Sequence, residues 1–523
     1  MAYAEKRGKG PKPWRVKYKR PDGTEASEPG FETKNAALRW GRDQESRIRS
    51  GQWTDPDAGK TLVKTWTARW LGAQDVGPST DENRDYLIRR FIRPAWGERE
   101  IASLQPDEIS AWEKGIPARL GVSARTARDA RSLLCTILGD AAAARPPVIP
   151  YNPALRPRNR GRRTGRKLER SPQRAWVTPL QTLLLAERAA LMSGHASDFT
   201  MIVTIGYTGM RWGETIGLET CYLHDTTLDV EWQLREIRGT FHRLPPKDDS
   251  YRSPNWPPSL PVDLPDFLAD LLAVQARAAS GPRCICASTH GGTGRYLFTG
   301  PDGGHHRRSN YPRRVFRPAC DGRHESTSKS PERFVIVDSS TWPGVPVAAW
   351  PTPPPLARDP ADANYQPPRG RGIRIIPDDI PLACWLPIMP ELTPHGLRHS
   401  HRTWMAEDRI PEILAEQRLG HDVPGMLGLY THSSDRMREE LKAALQTRWE
   451  DSLRARAAIH PRSPLPLLDE LMSKHRASDL AQISAATRLT KPTLPTQPTS
   501  GQKMISQIPP NRRRKPPARP LGR

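Results

Sequence analysis

The sequence predicts a multidomain protein. Its parts are a small α+β unit (a three-stranded sheet plus one helix), an all-α unit, a mainly α unit with a small β-sheet, and a disordered basic tail. Three observations predict this. Residues 14–19, WRVKYK, alternate apolar and basic side chains with period two, the mark of a half-buried strand. From Thr61 the apolar period becomes helical, with Val63, Trp66, Trp70 and Leu71 at i, i+3, i+7 and i+8. From Arg488 onward there is no Asp or Glu, and the last residues read NRRRKPPARPLGR, a composition that cannot bury enough apolar surface to fold.

Composition narrows the partner. A chain of 523 residues has room for two to four domains, and 80 Lys+Arg against 57 Asp+Glu give a formal charge of +23. Such an excess attracts a polyanion, either nucleic acid or an anionic membrane. No apolar run reaches the roughly 18 residues that would span a bilayer, and the start, MAYAEKRGKGPKPW, has no apolar core of a secretory signal. The basic stretches carry Pro and Gly rather than an amphipathic stripe, which favours nucleic acid and no membrane partner. Six cysteines scattered through a long chain fit a reducing cytoplasm better than a disulfide scaffold.

The elements follow in order. In residues 1–57 the strand WRVKYK would turn Trp14, Val16 and Tyr18 to one side and Arg15, Lys17 and Lys19 to the other, the latter a face for DNA. RPDGT makes a turn, and Thr33 can cap a helix that carries Ala36, Leu38 and Trp40 and ends near Ser50 and Gly51. Residues 58–157 read as four helices. The second stops at Pro94 or just beyond, the third follows Ser103 and Pro106, and the fourth ends before Pro146 and Pro147. A basic linker, 158–174, includes Arg162 and Arg163, which could lie along phosphates. Residues 175–450 form the large unit, opened by Thr178 and Gln181 at capping-box spacing. FTMIVTIGYTGMRWGETIGL reads as one buried helix, and an irregular insertion rich in Pro, Gly and His spans about 280–390. Residues 451–523 read as a Pro-rich basic tail, mostly disordered.

Four local patterns in chain order carry the chemistry: TGMRWGE at 208–214, PPKDDSYRS at 245–253, PHGLRHSH at 394–401, and LGHDVPGMLGLY ending at Tyr430. Together they resemble the tyrosine recombinase (phage integrase) family. Arg211 with Glu214 resembles its first arginine box and Lys247 its hairpin lysine. His395 and Arg398 match its His-x-x-Arg box, and His421 with Tyr430 nine residues later matches its last box. The resemblance implies that the three folded units are an arm-type DNA-binding domain, a core-binding domain and a catalytic domain. It also implies breakage and rejoining of DNA through a 3′-phosphotyrosyl intermediate, without metal or ATP.

Each residue type suits the role so implied. Two guanidiniums, Arg211 and Arg398, match the planar geometry of phosphoryl oxygens and stay protonated at working pH. His421 would add a further donor, Tyr430 would be the nucleophile, and His395 would accept its proton. Lys247 would protonate the departing 5′ oxygen, and Glu214 would orient Arg211 or His395. The implied partners are double-stranded attachment sites, a homotetramer on DNA, excisionase and DNA-bending accessory proteins.

Taken singly these signals are weak, because a Tyr between apolar residues is usually packing and HxxR recurs by chance; order and interval together carry them. Two alternatives stay open: a type IB topoisomerase-like relaxing enzyme, and a catalytically silent DNA-binding regulator. Cys284, Cys286, His290, Cys320 and His324 lack a regular metal-ligand spacing and read as ordinary loop residues, so no metal is expected there.

Overall fold

Val16 and Tyr18 point the same way from a strand, and burying them requires a partner layer. The computed structural model supplies it in a sheet ordered β1 (Tyr3–Lys6), β2 (Trp14–Lys19) and β3 (Glu25–Phe31), antiparallel throughout, covered by α1 (Lys34–Arg49). The model describes residues 1–51, 53, 58–156, 174–246, 261–279, 295–300, 302–326, 332–338, 348–349, 382–421 and 433–476. Thr33 caps α1 by accepting the Ala36 N–H at 3.1 Å. The Tyr18 ring meets Trp40 edge-on at 5.5 Å and Trp53 at 6.4 Å. Gly41 lets α1 lie this close, since a Cβ there would stand 2.6 Å from Val16 Cγ2.

The second unit is all helix: α2 (Val63–Gly72), α3 (Pro78–Leu87), α4 (Arg93–Trp96), α5 (Pro106–Leu120) and α6 (Ala124–Ala143). The second expected helix passes Pro94 and stops at Trp96. A π turn over Ile88–Ile92 joins α3 to α4, and its wider backbone accommodates the proline ring and the missing N–H. The cap of α5 is Gln105, whose N–H reaches the Glu108 carboxylate at 3.3 Å; Ser103 instead bonds the Glu100 carbonyl. Buried tryptophans need partners for their N–H groups, and Trp70 donates to Asp140 at 2.6 Å while Trp66 donates to the Ile137 carbonyl at 3.2 Å. Asn152 closes the unit, donating to the Cys135 carbonyl at 2.8 Å and accepting from the Ala154 N–H at 2.9 Å.

The third unit is built on α7 (Pro179–Ser193) and α8 (Ala196–Thr208), both buried on nearly every side. The Thr178–Gln181 capping box forms in both directions, at 3.0 and 3.2 Å. The stretch expected as a single buried helix is two. Gly209 takes φ +72 and ends α8, and α9 (Trp212–Ile216) starts three residues later. Four short strands follow as two antiparallel pairs, β4 (Thr227–Leu228) with β7 (Val262–Asp263), and β5 (Gln233–Ile237) with β6 (Thr240–Leu244). Further helices are α10 (Asp266–Ala278), α11 (Arg317–Asp321), α12 (Pro394–Glu407), α13 (Glu412–Arg418) and α14 (Asp435–Ile459). One aromatic cluster joins three of them to α8: Tyr207 of α8 packs against Phe267 at 4.9 Å, Trp404 at 5.1 Å and Trp449 at 5.9 Å.

Two boundaries need correction. The insertion expected over about 280–390 contains core: Leu297, Phe298, Tyr311, Phe316 and Cys320 are buried in the same cluster as α7 and α8. Irregular composition hid them, because their apolar residues lie between turns rather than at a regular period. Cys320 is thus a packed core thiol, and Cys284, Cys286 and His290 lie outside the described residues. The tail expected from residue 451 also begins too early. α14 runs on to Ile459, residues 466–476 are helical, and Leu465, Leu468 and Met472 are buried in the core. Arg456 and Glu187 form a fully buried bidentate pair at 2.7 and 2.8 Å, which Ser463 joins at 2.6 Å. Residues 477–523 lie outside the described residues.

Breaking that pair should be costly, because one buried charge is left uncompensated. Arg456→Ala is expected to lower stability by about 3–5 kcal/mol in denaturant unfolding. Arg454→Ala, two residues away at the exposed pair with Asp451, should change it by no more than about 0.5 kcal/mol.

Candidate active site

The end of α8 sets the first wall of the site. Gly209 adopts the left-handed conformation, and a Cβ there would lie 2.6 Å from Leu419 Cδ2 and 2.9 Å from His401 Cδ2. The break therefore brings the chain against both α12 and the end of α13 before Arg211 opens α9. Glu214 then holds Arg211 from two directions. Its carboxylate accepts the Arg211 backbone N–H at 2.7 Å and the Nη1 of the same residue at 2.8 Å. Glu214 is buried and the Arg211 side chain keeps 20% exposure, so the cation faces outward from an anchored carboxylate.

The second wall is α12, which Thr393 caps and Pro394 opens. It is pinned to the segment before α7: the Val177 N–H donates to Ser400 Oγ at 2.9 Å, and Trp404 Nε1 donates to the Val177 carbonyl at 3.0 Å. His395, Arg398 and His399 stand at i, i+3 and i+4 and share one helix face. Arg398 is buried at 4% exposure. Its Nη1 donates to the Gly209 carbonyl at 2.8 Å, and its Nη2 to the Leu419 carbonyl at 2.5 Å and to His421 Nε2 at 2.7 Å. One guanidinium thus joins the first arginine turn, the His-x-x-Arg helix and the Leu-Gly-His turn.

His421 sits differently from its expected role as a donor. Its Nδ1 meets the Glu416 carboxylate at 2.6 Å, which places the proton on Nδ1. Nε2 then accepts from Arg398, so turning to a phosphoryl oxygen as a donor would require a further proton or a different partner. Burial alone would raise the Glu416 pKa, but the hydrogen bond from His421 and the Arg402 cation hold its carboxyl below the ordinary range.

His395 is a neutral base in waiting. Burial pushes its pKa down first, and His399, Arg398, Arg174 and Arg211 push it further, to about 4. At neutral pH the ring therefore carries an accepting lone pair. Beneath the site, Arg418 donates to His401 Nε2, the Asp263 carbonyl and the Tyr207 carbonyl, each at 2.9 Å. His401 is fully buried and held neutral by burial and by Arg418, a supporting part of the site.

The structure brings together Arg211, Glu214, His395, Arg398 and His421. Lys247 and Tyr430 lie outside the described residues, as do Arg162 and Arg163; β6 ends three residues before Lys247, and Ser433 follows Tyr430 by three. On the N-terminal sheet, Arg15 pairs with Glu5 and Lys17 with Glu25, while Lys19 is exposed. Two of the three expected DNA-facing cations are thus matched by acids on neighbouring strands. Sequence reasoning missed Glu416, Arg418 and Arg174. Glu416 precedes His421 by five residues, a spacing the helix end alone makes meaningful, and Arg174 is one of several arginines at the end of a basic linker with nothing to single it out.

Residues 386–437 match the phage integrase family model. The matched segment holds His395, Arg398, His421 and Tyr430, three of which meet in the geometry above. A search of curated protein sequences gave no match. Among solved structures the chain is similar to the Tn1549 transposon integrase in complex with transposon right end DNA, at 16% identity over 77% of this chain and 100% of that one, TM-score 0.45. It is also similar to a lambda integrase dimer bound to a COC′ core site, at 15% identity over 82% and 92%, TM-score 0.40. A lambda integrase tetramer bound to a Holliday junction matches at 15% identity over 79% and 94%, TM-score 0.38.

The turn at Gly209 gives a direct test of how this unit is assembled. Gly209→Ala must adopt a strained backbone and intrude on Leu419 and His401. It should destabilise the chain by about 2 kcal/mol or more, read as a lowered denaturation midpoint.

Proposed function

We propose that the chain is a tyrosine-type site-specific DNA recombinase, the integrase of a phage or integrative mobile element. The observation that carries this reading is the Arg398 guanidinium linking the Arg211 turn to His421 within a phage integrase segment. A phosphodiester brings one negative charge, and attack on phosphorus concentrates more on its non-bridging oxygens. Arg211 supplies a cation already oriented by Glu214, so it needs little reorganisation at the moment of reaction, and Arg398 supplies a second one held at the site by backbone carbonyls. Exchange of carbonyl contacts for phosphoryl contacts by Arg398 is part of this reading.

The step balances as follows. The Tyr430 oxygen attacks phosphorus and its proton passes to neutral His395. The bond from phosphorus to the 5′ oxygen breaks, and that oxygen takes a proton from Lys247. The product is a 3′-phosphotyrosyl link that stores the bond energy, so rejoining needs no nucleotide. Reversal by the 5′ hydroxyl of another strand completes the transfer. Double-stranded attachment sites would be the substrate, with four protomers acting on two duplexes, and excisionase and DNA-bending proteins as accessory partners.

A nicked suicide duplex that loses its 5′ hydroxyl fragment tests this. The full chain should accumulate a covalent protein–DNA adduct that Tyr430→Phe abolishes. Arg211→Ala or Arg398→Ala should slow adduct formation by about a hundredfold to a thousandfold. Absence of any adduct with DNA still bound would support the silent regulator, and relaxation of plasmids lacking a target site would support the topoisomerase.

A further inference from the structure

We propose that Arg174 and His399 are positioning residues for His395, through which the exit of the basic linker holds the proton acceptor in place. This rests on the reading of His395 as the group that takes the tyrosine proton. Arg174 closes the linker, and its Nη1 lies 2.8 Å from His399 Nε2. A guanidinium can only donate, so Nε2 offers its lone pair and His399 is neutral with its proton on Nδ1. The His399 ring in turn stands 4.8 Å from the His395 ring at 84°, an edge-to-face contact one helical turn along α12. His399 is itself fixed from below, because α12 is tied to Val177 by Ser400 and Trp404.

The charged and titratable groups facing His395 are His399 and Arg398 from its own helix, Arg174 from the linker, and Arg211 from the turn after α8. After burial, His399, Arg398 and Arg174 all push the His395 pKa down. A base so weakened takes the phenol proton reluctantly but returns it readily, which suits a reaction that must run backwards to seal DNA. Neither Arg174 nor His399 touches the reacting atoms in this scheme. They fix the orientation of the ring and keep it unprotonated in mildly acidic solution.

Loss of Arg174 should let the pKa of His395 rise towards its ordinary value, so protonation would disable it at higher pH. Single-turnover adduct formation on the nicked duplex, with saturating full-length protein from about pH 3.5 to 8 so that the wild-type limb near 4 is included, reads this directly. Arg174→Ala and His399→Ala should move the acid limb of the rate profile up by about half a pH unit or more, while Arg174→Lys, which keeps the charge, should restore it. Arg174 is exposed, so its variants should melt with the wild-type chain and report on the site alone. Acid limbs that coincide with wild type overturn the proposal, whatever the rate at neutral pH. A wild-type chain that forms no adduct overturns the recombinase reading beneath it.

Discussion

The Arg398 guanidinium is the joint on which the site depends. Burying an arginine is expensive unless its donors find partners, and here those partners are the Gly209 carbonyl, the Leu419 carbonyl and His421. The three contacts come from two segments, one 189 residues before Arg398 and the other 21 and 23 residues after it. Satisfying that one cation therefore fixes the end of α8, the face of α12 and the turn after α13 relative to each other. The αL turn at Gly209 and the Tyr207 aromatic cluster exist in a geometry that serves the same closure.

Around this joint, acids are spent on orientation rather than on cancelling charge at the mouth of the site. Glu214 grips Arg211 by its backbone and its side chain, and Glu416 fixes the tautomer of His421. Arg418 repeats the device one layer down, tying His401 to carbonyls of α8 and β7. Beside them His395 is kept unprotonated, by its burial first and then by the surrounding cations. Such a field favours an anion arriving from outside, in keeping with a chain whose formal charge is +23.

Most of the architecture was legible where periodicity was regular. Thr33, Thr178 and Gln181 announced their caps, and the Val63–Trp66–Trp70 stripe marked its helix, because local hydrogen bonding and burial there agree with the tertiary fold. Gly209 was readable as a glycine but not as a break, since the apolar run continues on both sides and only the approach of Leu419 demands the turn. Residues 295–326 looked like loop for the opposite reason, their core side chains lying in short irregular segments. In the site, the spacing of His395, Arg398 and His421 was visible in one dimension. The roles of Glu416 and Arg174 depend on contacts between helix ends, which sequence separation does not encode.

Under the proposed recombinase reading, Arg211 and Arg398 neutralise charge on a scissile phosphate. Replacing that phosphate with an uncharged methylphosphonate in the nicked duplex tests it most directly, by comparing adduct formation of the wild-type chain with Arg211→Ala and Arg398→Ala. If the account holds, the variants regain much of their lost rate on the neutral linkage, because no charge remains to be balanced. If each variant is as impaired on the methylphosphonate as on the phosphate, the two arginines serve the architecture and not the reacting phosphorus.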